Sequence, residues 1–220
     1  MLILISDAFA PDLPEKLSPY GDVTDDKGKL PEATVVLVRS KTKVTREYID
    51  SAPNLKLVIR GGVGLDNIDL NYASEKGIAV HNTAAASSIA VAELAFTLMI
   101  ALPNHVTKAD STMRAGQWAK KKLKRTELYK KILGIVGLGR IGTELAKRAN
   151  AFGMKVVAYD PFVESSEVAT MKSDLKDVLN NSDYVTLHLP LTGETKGLIN
   201  AEMLKEFKDR AYLINTGRGK

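Results

Sequence analysis

The sequence predicts an α/β protein with two doubly wound parallel-sheet domains. Short apolar runs alternate with amphipathic stretches along most of the chain, which is typical of parallel βα units. A long stretch that is apolar on every side of a helix interrupts this alternation after residue 84. A glycine-rich turn between an apolar run and a helix then begins a second series of βα units.

The first domain is expected over residues 1–84 and is flavodoxin-like in type. Its opening residues, MLILISDAFAPD, lack the basic segment and cleavage site of a signal peptide, so we expect a buried first strand. Two amphipathic segments, 45–51 and 69–75, predict helices. The apolar runs predict strands at 2–5, 34–39, 57–60 and 78–81, with a further short strand at 22–23.

The stretch SSIAVAELAFTLMIALPNH predicts one long helix at the start of the second domain, 85–220. Ser87 or Ser88 is expected to cap its beginning, and Pro103 to mark its end. A helix that is apolar all round requires burial all round. Burial within its own domain, between domains or across a dimer interface are all compatible with this pattern. We expect a dimerisation helix and arm over residues 87–128, with Trp118 as an interface anchor.

Three glycines form the pattern G-x-G-x-x-G at Gly137, Gly139 and Gly142. The apolar run 132–136 supplies the preceding strand and 143–152 the following helix, so the context required of this motif is present. The first glycine permits a tight turn, the second lets the backbone approach a pyrophosphate, and the third allows close packing of helix and strand. The helix N-terminus adds unpaired N–H groups and a partial positive charge. The motif predicts a dinucleotide site.

Asp160 indicates which dinucleotide binds. It ends the next predicted strand, 156–159, and lies eighteen residues after Gly142. A carboxylate there can accept hydrogen bonds from both ribose hydroxyls of NAD and would repel the 2′-phosphate of NADP. The sequence therefore predicts NAD as the cofactor.

The βα alternation continues beyond Asp160, and this domain is expected to be a Rossmann domain. Counted from residue 132, it supplies five of the six strands of the usual order 3-2-1-4-5-6. We therefore expect a domain without its last strand, in a chain that is C-terminally incomplete. The remaining predicted elements are strands at 168–171, 184–187 and 211–214 and helices at 175–180 and 201–207.

Composition excludes several other classes of protein. Apolar residues make up 45% and charged residues 26%, which is ordinary for a soluble globular protein, and we expect a cytoplasmic location. With no cysteine, disulfides and thiolate metal sites are excluded, and no metal is expected. The sequence contains no run of eighteen apolar residues, so it predicts no membrane span. The basic run at 120–125 lacks interleaved aromatic residues, so we interpret it as a solvated loop rather than a nucleic-acid site.

Several segments resemble, in the same order, the D-isomer-specific 2-hydroxyacid dehydrogenases, and among them most closely the phosphoglycerate dehydrogenases. The resemblance implies NAD-dependent oxidation of a D-2-hydroxy acid to a 2-oxo acid by a homodimer. The implied substrate is a phosphorylated 2-hydroxy acid, 3-phosphoglycerate, oxidised to 3-phosphohydroxypyruvate in serine biosynthesis. A glyoxylate or hydroxypyruvate reductase and a non-catalytic NAD-sensing protein are the alternatives. The matching segments are VLVRSKTKVT, LKLVIRGGVGLDNIDL, VHNTAAASSIAVAELAFTLMIAL, GIVGLGRIG, VVAYDP, VTLHLPLTGETKGLIN and LINTGRG.

The resemblance also implies roles for individual residues. Arg218 matches the catalytic arginine that grips the substrate carboxylate and polarises the carbonyl. Residues on the substrate side are Arg39 and Arg60 for a distal phosphate, the Arg60, Gly61, Gly62 and Val63 loop for the carboxylate, and Asn82. Residues on the cofactor side are Val63, Gly137, Gly139, Arg140, Ile141, Gly142, Asp160, Leu189 and Thr216.

The family also uses a glutamate and a proton-donating histidine that follow the arginine. His81, His105 and His188 do not lie in that context. We therefore expect this chain to bind NAD weakly and to turn over 3-phosphoglycerate negligibly.

Overall fold

Each half of the chain contains one parallel five-stranded sheet, and the computed structural model describes residues 1–219. The chain forms two compact units that divide between Ser87 and Ser88. The predicted second domain extends to residue 220, which lies outside the described residues. The predicted α/β fold with two parallel sheets is confirmed.

The first unit contains a sheet of order β2-β1-β3-β4-β5. This is the flavodoxin-like order, in which the strand sequence reverses between β1 and β3. All four residues of β3 are buried, as expected for a strand covered on both faces. The strands are β1 (Leu2–Ile5), β2 (Asp22–Thr24), β3 (Val35–Val38), β4 (Leu57–Arg60) and β5 (Ala79–Asn82).

The helices of the first unit are short, and side chains cap the beginning of two of them. The side chain of Thr45 accepts a hydrogen bond from the N–H of Tyr48, and Asp69 accepts one from the N–H of Tyr72. Both helices therefore begin one residue later than predicted, because the polar residue is the cap rather than the first helical residue. The helices are α1 (Leu13–Leu17), α2 (Arg46–Asp50) and α3 (Leu70–Glu75).

Helix α4 spans Ala84–Ala101, and the predicted cap at Ser87 or Ser88 is wrong. Both serines lie inside the helix, because backbone N–H groups of its first turn already donate hydrogen bonds to residues before Ala84. Asn82 Oδ1 accepts from the N–H of Ala84 at 3.4 Å, and the carbonyl of Thr83 accepts from Ala86. Pro103 follows the helix end, as predicted.

One side of α4 packs in the core of the second unit and another side is exposed. Ala92, Ala95, Phe96 and Met99 are buried. By length and composition α4 could cross a membrane, a property that core helices of soluble proteins share. It also carries Glu93, which forms an ion pair with Arg148 in the second unit. The exposed apolar residues of α4 and its last turn are Ile89, Leu94, Leu98 and Leu102, with 37–54% of their surface accessible.

The second unit contains a sheet of order β10-β9-β6-β7-β8. Counted within this unit the order is 5-4-1-2-3, so the predicted Rossmann arrangement is confirmed. Leu133, Ile135, Leu145, Ala146 and Tyr184 are fully or almost fully buried in its core. The strands are β6 (Ile132–Val136), β7 (Lys155–Tyr159), β8 (Thr170–Met171), β9 (Tyr184–Leu187) and β10 (Tyr212–Asn215).

Helix α6 begins at Arg140, three residues before the predicted start at residue 143. Gly139 takes the cap position, and the N–H of Thr143 donates to the Gly139 carbonyl at 2.9 Å. The last two glycine-motif positions therefore lie at and within the first helical turn. The helices of this unit after α4 are α5 (Val106–Arg114), α6 (Arg140–Ala151), α7 (Leu175–Asn181) and α8 (Ala201–Lys205).

Candidate active site

The turn between β6 and α6 is tight because Gly137 has φ +94° and no side chain. Its N–H donates to the carbonyl of Tyr159 at the end of β7. A Cβ at this position would lie 2.6 Å from the carbonyl oxygen of His188, which follows β9. Glycine thus allows the ends of three adjacent strands to approach one another.

The other two glycines of the motif have different surroundings. A Cβ at Gly142 would lie 2.3 Å from the Gly137 carbonyl oxygen, so this glycine is needed for helix–strand packing. A Cβ at Gly139 would meet nothing within 4 Å, so that side of the turn is open. No side chain caps α6, and its first N–H groups, including those of Arg140 and Ile141, have no acceptor inside the helix. This arrangement suits the pyrophosphate of a dinucleotide.

The carboxylate of Asp160 is fixed beside this turn. Its Oδ2 accepts from the N–H of Leu138 at 2.8 Å, and its Oδ1 accepts from the N–H of Phe162 at 2.9 Å. The structure therefore gives Asp160 a bracing role in addition to the predicted contact with the ribose. The motif spacing does not indicate this second role.

Arg218 lies on the loop after β10, and the side chain of Asn215 closes that loop. Asn215 Nδ2 donates to the Arg218 carbonyl at 2.9 Å, and Asn215 Oδ1 accepts from the N–H of Gly217 at 2.9 Å. Thr216 Oγ1 is buried and has no hydrogen-bond partner within residues 1–219. A buried hydroxyl without a partner fits a site that a polar ligand group completes.

A cavity of about 340 Å³ lies beside this loop in the second unit. Its walls are mostly aliphatic, from Leu189, Leu198 and Leu213 among others, and Asn215 and Arg218 add polar groups. The structure thus brings together two predicted site residues, Leu189 and Arg218.

His188 does not have the properties of a proton donor. Burial lowers the pKa of its imidazole to about 4, so the ring is neutral at pH 7. Its Nε2 lies 3.0 Å from Oγ1 of Thr186, two residues earlier on β9. A neutral imidazole is a poor general acid, so His188 fits a structural role.

In the first unit, Arg39 and Arg60 flank the two-glycine segment Gly61–Gly62. A Cβ at Gly61 would lie 2.5 Å from Phe9 Cε1 and 3.5 Å from Arg39 Cγ. A Cβ at Gly62 would lie 1.6 Å from Arg60 Nη1. The missing side chains at 61 and 62 therefore make room for the Phe9 ring and the Arg60 guanidinium, whereas Arg39 would be at ordinary contact distance from a side chain at 61.

The backbone N–H groups of this segment are partly in use. Gly61 donates its N–H to the carbonyl of Val38, and Gly62 donates to Thr83 Oγ1 at 2.9 Å. Within residues 1–219, the N–H groups of Val63 and Gly64 have no hydrogen-bond acceptor. The backbone N–H groups of Val63 and Gly64 are therefore more available to a carboxylate ligand than those of Gly61 and Gly62. Gly64 was not among the predicted site residues.

Asn82 holds the same segment from β5. Its Nδ2 donates to the carbonyl of Val63 at 2.7 Å. The structure thus places Asn82 next to the predicted substrate loop, as a residue that orients it.

The model for the NAD-binding domain of D-isomer specific 2-hydroxyacid dehydrogenases matches residues 96–220. The chain belongs to this family. Residues 96–220 are accordingly an NAD-binding domain, and the glycine turn, Asp160 and Thr216 fit that cofactor.

Curated relatives in the family differ in the activity named for them. A hydroxypyruvate reductase of Thermotoga maritima is 47% identical over 86% of this chain. A D-3-phosphoglycerate dehydrogenase of Methanocaldococcus jannaschii is 42% identical over 99% of this chain. The chain spans 62% of the length of the first protein and 44% of the second.

Solved structures of similar fold contain both kinds of nicotinamide cofactor. A D-lactate dehydrogenase from Aquifex aeolicus, complexed with NAD and lactic acid, is 32% identical with a TM-score of 0.87, over 100% of this chain and 70% of that one. An acyclic imino acid reductase in complex with NADPH and D-Arg is 30% identical with a TM-score of 0.90, over 100% and 75%.

Sequence reasoning missed the residues that orient the site. Asn215 carries a local signal, since asparagine two residues before glycine is typical of a turn closed by the side-chain amide. Thr83 carries no comparable signal, because its contact to Gly62 joins residues 21 apart.

Proposed function

We propose that the protein binds a phosphorylated D-2-hydroxy acid and takes part in its NAD-dependent oxidation to the 2-oxo acid. The pair we propose is 3-phosphoglycerate and 3-phosphohydroxypyruvate. The observation that carries this proposal is the placement of Arg39 and Arg60 around Gly61–Gly62. Guanidinium groups bind phosphate through charge-assisted, bidentate hydrogen bonds.

The proposed chemistry assigns separate tasks to the residues. Oxidation breaks the C2–H bond and releases the hydroxyl proton, and NAD, when bound, accepts the hydride. Arg218 would hold the substrate carboxylate and polarise the C2 oxygen, a role that suits its planar, permanently charged group. It cannot transfer the proton, because a guanidinium group stays protonated in proteins.

None of the three histidines supports the proton-transfer role. His188 is neutral at pH 7, and His105 Nε2 is hydrogen-bonded to the carbonyl of Lys124 at 2.8 Å. His81 is an exposed residue of β5. Binding is therefore the property of this 220-residue chain that tests the proposal most cleanly.

The proposal also includes a homodimer formed through α4 and the arm that follows it. Ile89, Leu94, Val106, Met113 and Trp118 each expose at least half of their surface, and Trp118 exposes 77%. An apolar surface of this kind indicates an interface. A second copy is the proposed partner, because an isologous contact matches the same apolar patch with itself.

Light scattering tests this assembly. We expect a dimer of wild-type chains and a shift to monomer in Leu94→Glu, with Leu70→Glu, an exposed leucine of the first unit, as the control. A monomeric wild-type chain would contradict the proposed dimer.

Hydroxypyruvate reduction is the second candidate function. The 47% identity to the Thermotoga maritima protein favours it. This substrate carries no phosphate, so affinity for the phosphate group separates the two candidates.

Isothermal titration calorimetry with 3-phosphoglycerate and D-glycerate tests the proposed substrate. The two ligands differ only by the phosphate, and we expect 3-phosphoglycerate to bind at least about tenfold more tightly. Arg39→Gln should remove most of that difference. Arg46→Gln, at an exposed arginine paired with Asp69, is the control and should preserve it. Equal affinities of the wild-type chain would favour the second candidate.

A further inference from the structure

The reversal of strand order in the first unit lies between β1 and β3. In open parallel sheets, ligands bind outside the carboxyl ends of the strands at such a reversal. Two segments leave the sheet here: Asp7 to Phe9 follows β1, and Arg39 to Thr42 follows β3. We call residues 39–42 the Arg39 loop.

The Asp7 carboxylate accepts hydrogen bonds from two backbone N–H groups and one hydroxyl group of the Arg39 loop. Its Oδ2 accepts from the N–H of Arg39 at 2.6 Å and from the N–H of Thr42 at 3.2 Å. Its Oδ1 accepts from Thr42 Oγ1 at 2.7 Å. Three hydrogen bonds to one carboxylate thus fix both ends of the loop.

Asn67 binds the same two residues through their carbonyl groups. Its Nδ2 donates to the Arg39 carbonyl at 2.8 Å and to the Thr42 carbonyl at 2.7 Å. Asp7 and Asn67 come from separate parts of the chain, 60 residues apart. The backbone of Arg39 and Thr42 is therefore held on its donor side and on its acceptor side at once.

The side chain of Arg39 is oriented from the neighbouring segment. Arg39 Nη1 donates to the carbonyl of Ala8 at 3.2 Å, and Arg39 Cγ lies near Gly61. Because Asp7 and Asn67 hold the backbone and Ala8 contacts the side chain, the position of the Arg39 guanidinium at the strand reversal is restricted.

We propose that Asp7 and Asn67 are positioning residues that hold the Arg39 loop in the conformation that receives the phosphate of the substrate. This inference rests on the proposed function. Holding a loop in its bound conformation lowers the entropy lost on binding, so the benefit appears as affinity. Only the affinity for the phosphate group should increase, since the carboxylate of the substrate is assigned to other residues.

The charge of Asp7 makes the sign of this effect informative. A carboxylate near an anion subsite repels the ligand through space, and removal of that charge alone would strengthen phosphate binding. The positioning role predicts the opposite, because Asp7→Asn replaces three charge-assisted hydrogen bonds by weaker neutral ones and forces the Thr42 hydroxyl to accept instead of donate. Asp7→Asn therefore separates the two effects.

The experiment is calorimetric titration of the 220-residue chain with 3-phosphoglycerate and D-glycerate. We expect Asp7→Asn and Asn67→Ala each to weaken 3-phosphoglycerate binding by about 3- to 10-fold, with little change for D-glycerate. Matched controls are Asp26→Asn and Asn54→Ala. Asp26 accepts from the N–H of Gly28, and Asn54 donates to the carbonyl of Pro31, both in the first unit.

Each outcome has one reading. Unchanged or tighter 3-phosphoglycerate binding in Asp7→Asn and Asn67→Ala, with a clear loss in Arg39→Gln, would overturn the positioning role and leave the proposed function intact. Equal losses for both ligands would also overturn it, since that result indicates general destabilisation. If a variant fails to fold, Thr42→Val, which removes the Oγ1 contact alone, provides the same comparison. A wild-type chain without preference for the phosphorylated ligand would overturn the proposed function itself.

Discussion

The two units place glycine-rich segments at the carboxyl ends of parallel strands, but they prepare these segments for anions in different ways. At Gly137–Gly142 the backbone N–H groups are the proposed binding groups, since α6 begins there without a side-chain cap. At Gly61–Gly62 the N–H groups already have acceptors, and arginine side chains supply the positive charge. A glycine at a strand end therefore has two distinct meanings, either access to backbone N–H groups or room for a neighbouring cation.

The largest expected effect is that of a methyl group at Gly142. Its nearest contact would be a backbone oxygen at 2.3 Å, which cannot move without displacing the turn. We expect Gly142→Ala to lower the free energy of unfolding of the second unit by roughly 2–4 kcal/mol and to abolish measurable NAD binding. Thermal unfolding with and without NAD measures both.

Gly139→Ala is the matched control, since its Cβ would meet nothing within 4 Å. It should cost little stability but should weaken NAD binding, because the methyl group would occupy the open side of the turn. Equal stability losses at 139 and 142 would contradict the assigned packing role of Gly142.

The next largest effect is the pH dependence of the second unit. Burial lowers the pKa of His188 from its ordinary value of 6.5 to about 4. Between these values the unfolded chain binds a proton that the folded chain does not, so stability falls as the pH drops from 6.5 towards 4. At about 1.4 kcal/mol per pKa unit, the loss is up to roughly 3 kcal/mol.

Urea unfolding at several pH values measures this dependence. His188→Gln should flatten it, whereas His81→Gln, at the exposed histidine of the first unit, should leave it unchanged. An identical slope in wild type and His188→Gln would show that other groups cause the acid sensitivity.

Cofactor preference should show an intermediate effect. NAD is expected to bind about 10- to 100-fold more tightly than NADP, because the Asp160 carboxylate would repel the 2′-phosphate by about 1–3 kcal/mol. Asp160→Asn is the informative substitution, since it removes the charge and retains an acceptor for the N–H of Leu138. Calorimetry should show that the ratio of NAD to NADP affinity falls towards one in Asp160→Asn. Equal affinities for NAD and NADP in the wild type would refute the role assigned to Asp160.

The smallest effect is expected at Gly62. A Cβ there would meet Arg60 Nη1, which is the flexible end of a side chain and can move, although φ +142° adds backbone strain. We expect Gly62→Ala to cost about 1 kcal/mol of stability and to weaken 3-phosphoglycerate binding a few-fold. A stability loss as large as that of Gly142→Ala would erase the contrast between the two glycine segments.

The sequence predicted most closely the strands whose apolar runs are short and bounded by polar or turn residues. The runs at 2–5, 57–60, 132–136 and 184–187 match strands β1, β4, β6 and β9 residue for residue. Helix starts were less predictable, because α4 and α6 begin from caps other than those with the strongest local signal. The short α1 was not predicted, since its five residues show no helical periodicity and include Pro14.

The sequence offers site candidates where a local motif exists and none where residues meet only through the fold. Gly137, Gly142 and Asp160 follow from spacing alone. Asp7 and Asn67 do not, because they contact the Arg39 loop from positions 32 and 28 residues away from Arg39. The parallel pairing of β1 with β3 brings Asp7 to the loop, and the bridge between Val44 and Ile68 brings Asn67 to it.

The contrast between backbone and side-chain anion sites is tested most directly by ¹⁵N NMR titration of the 220-residue chain with each ligand in turn. We predict that 3-phosphoglycerate shifts the side-chain Nε–H signals of Arg39 and Arg60 and leaves the backbone N–H signals of Arg140 and Ile141 unchanged. NAD should shift those two backbone signals and leave the Arg39 side chain unchanged. If 3-phosphoglycerate instead perturbs the start of α6 and neither arginine of the first unit, the assignment of the two anions to two kinds of site is wrong.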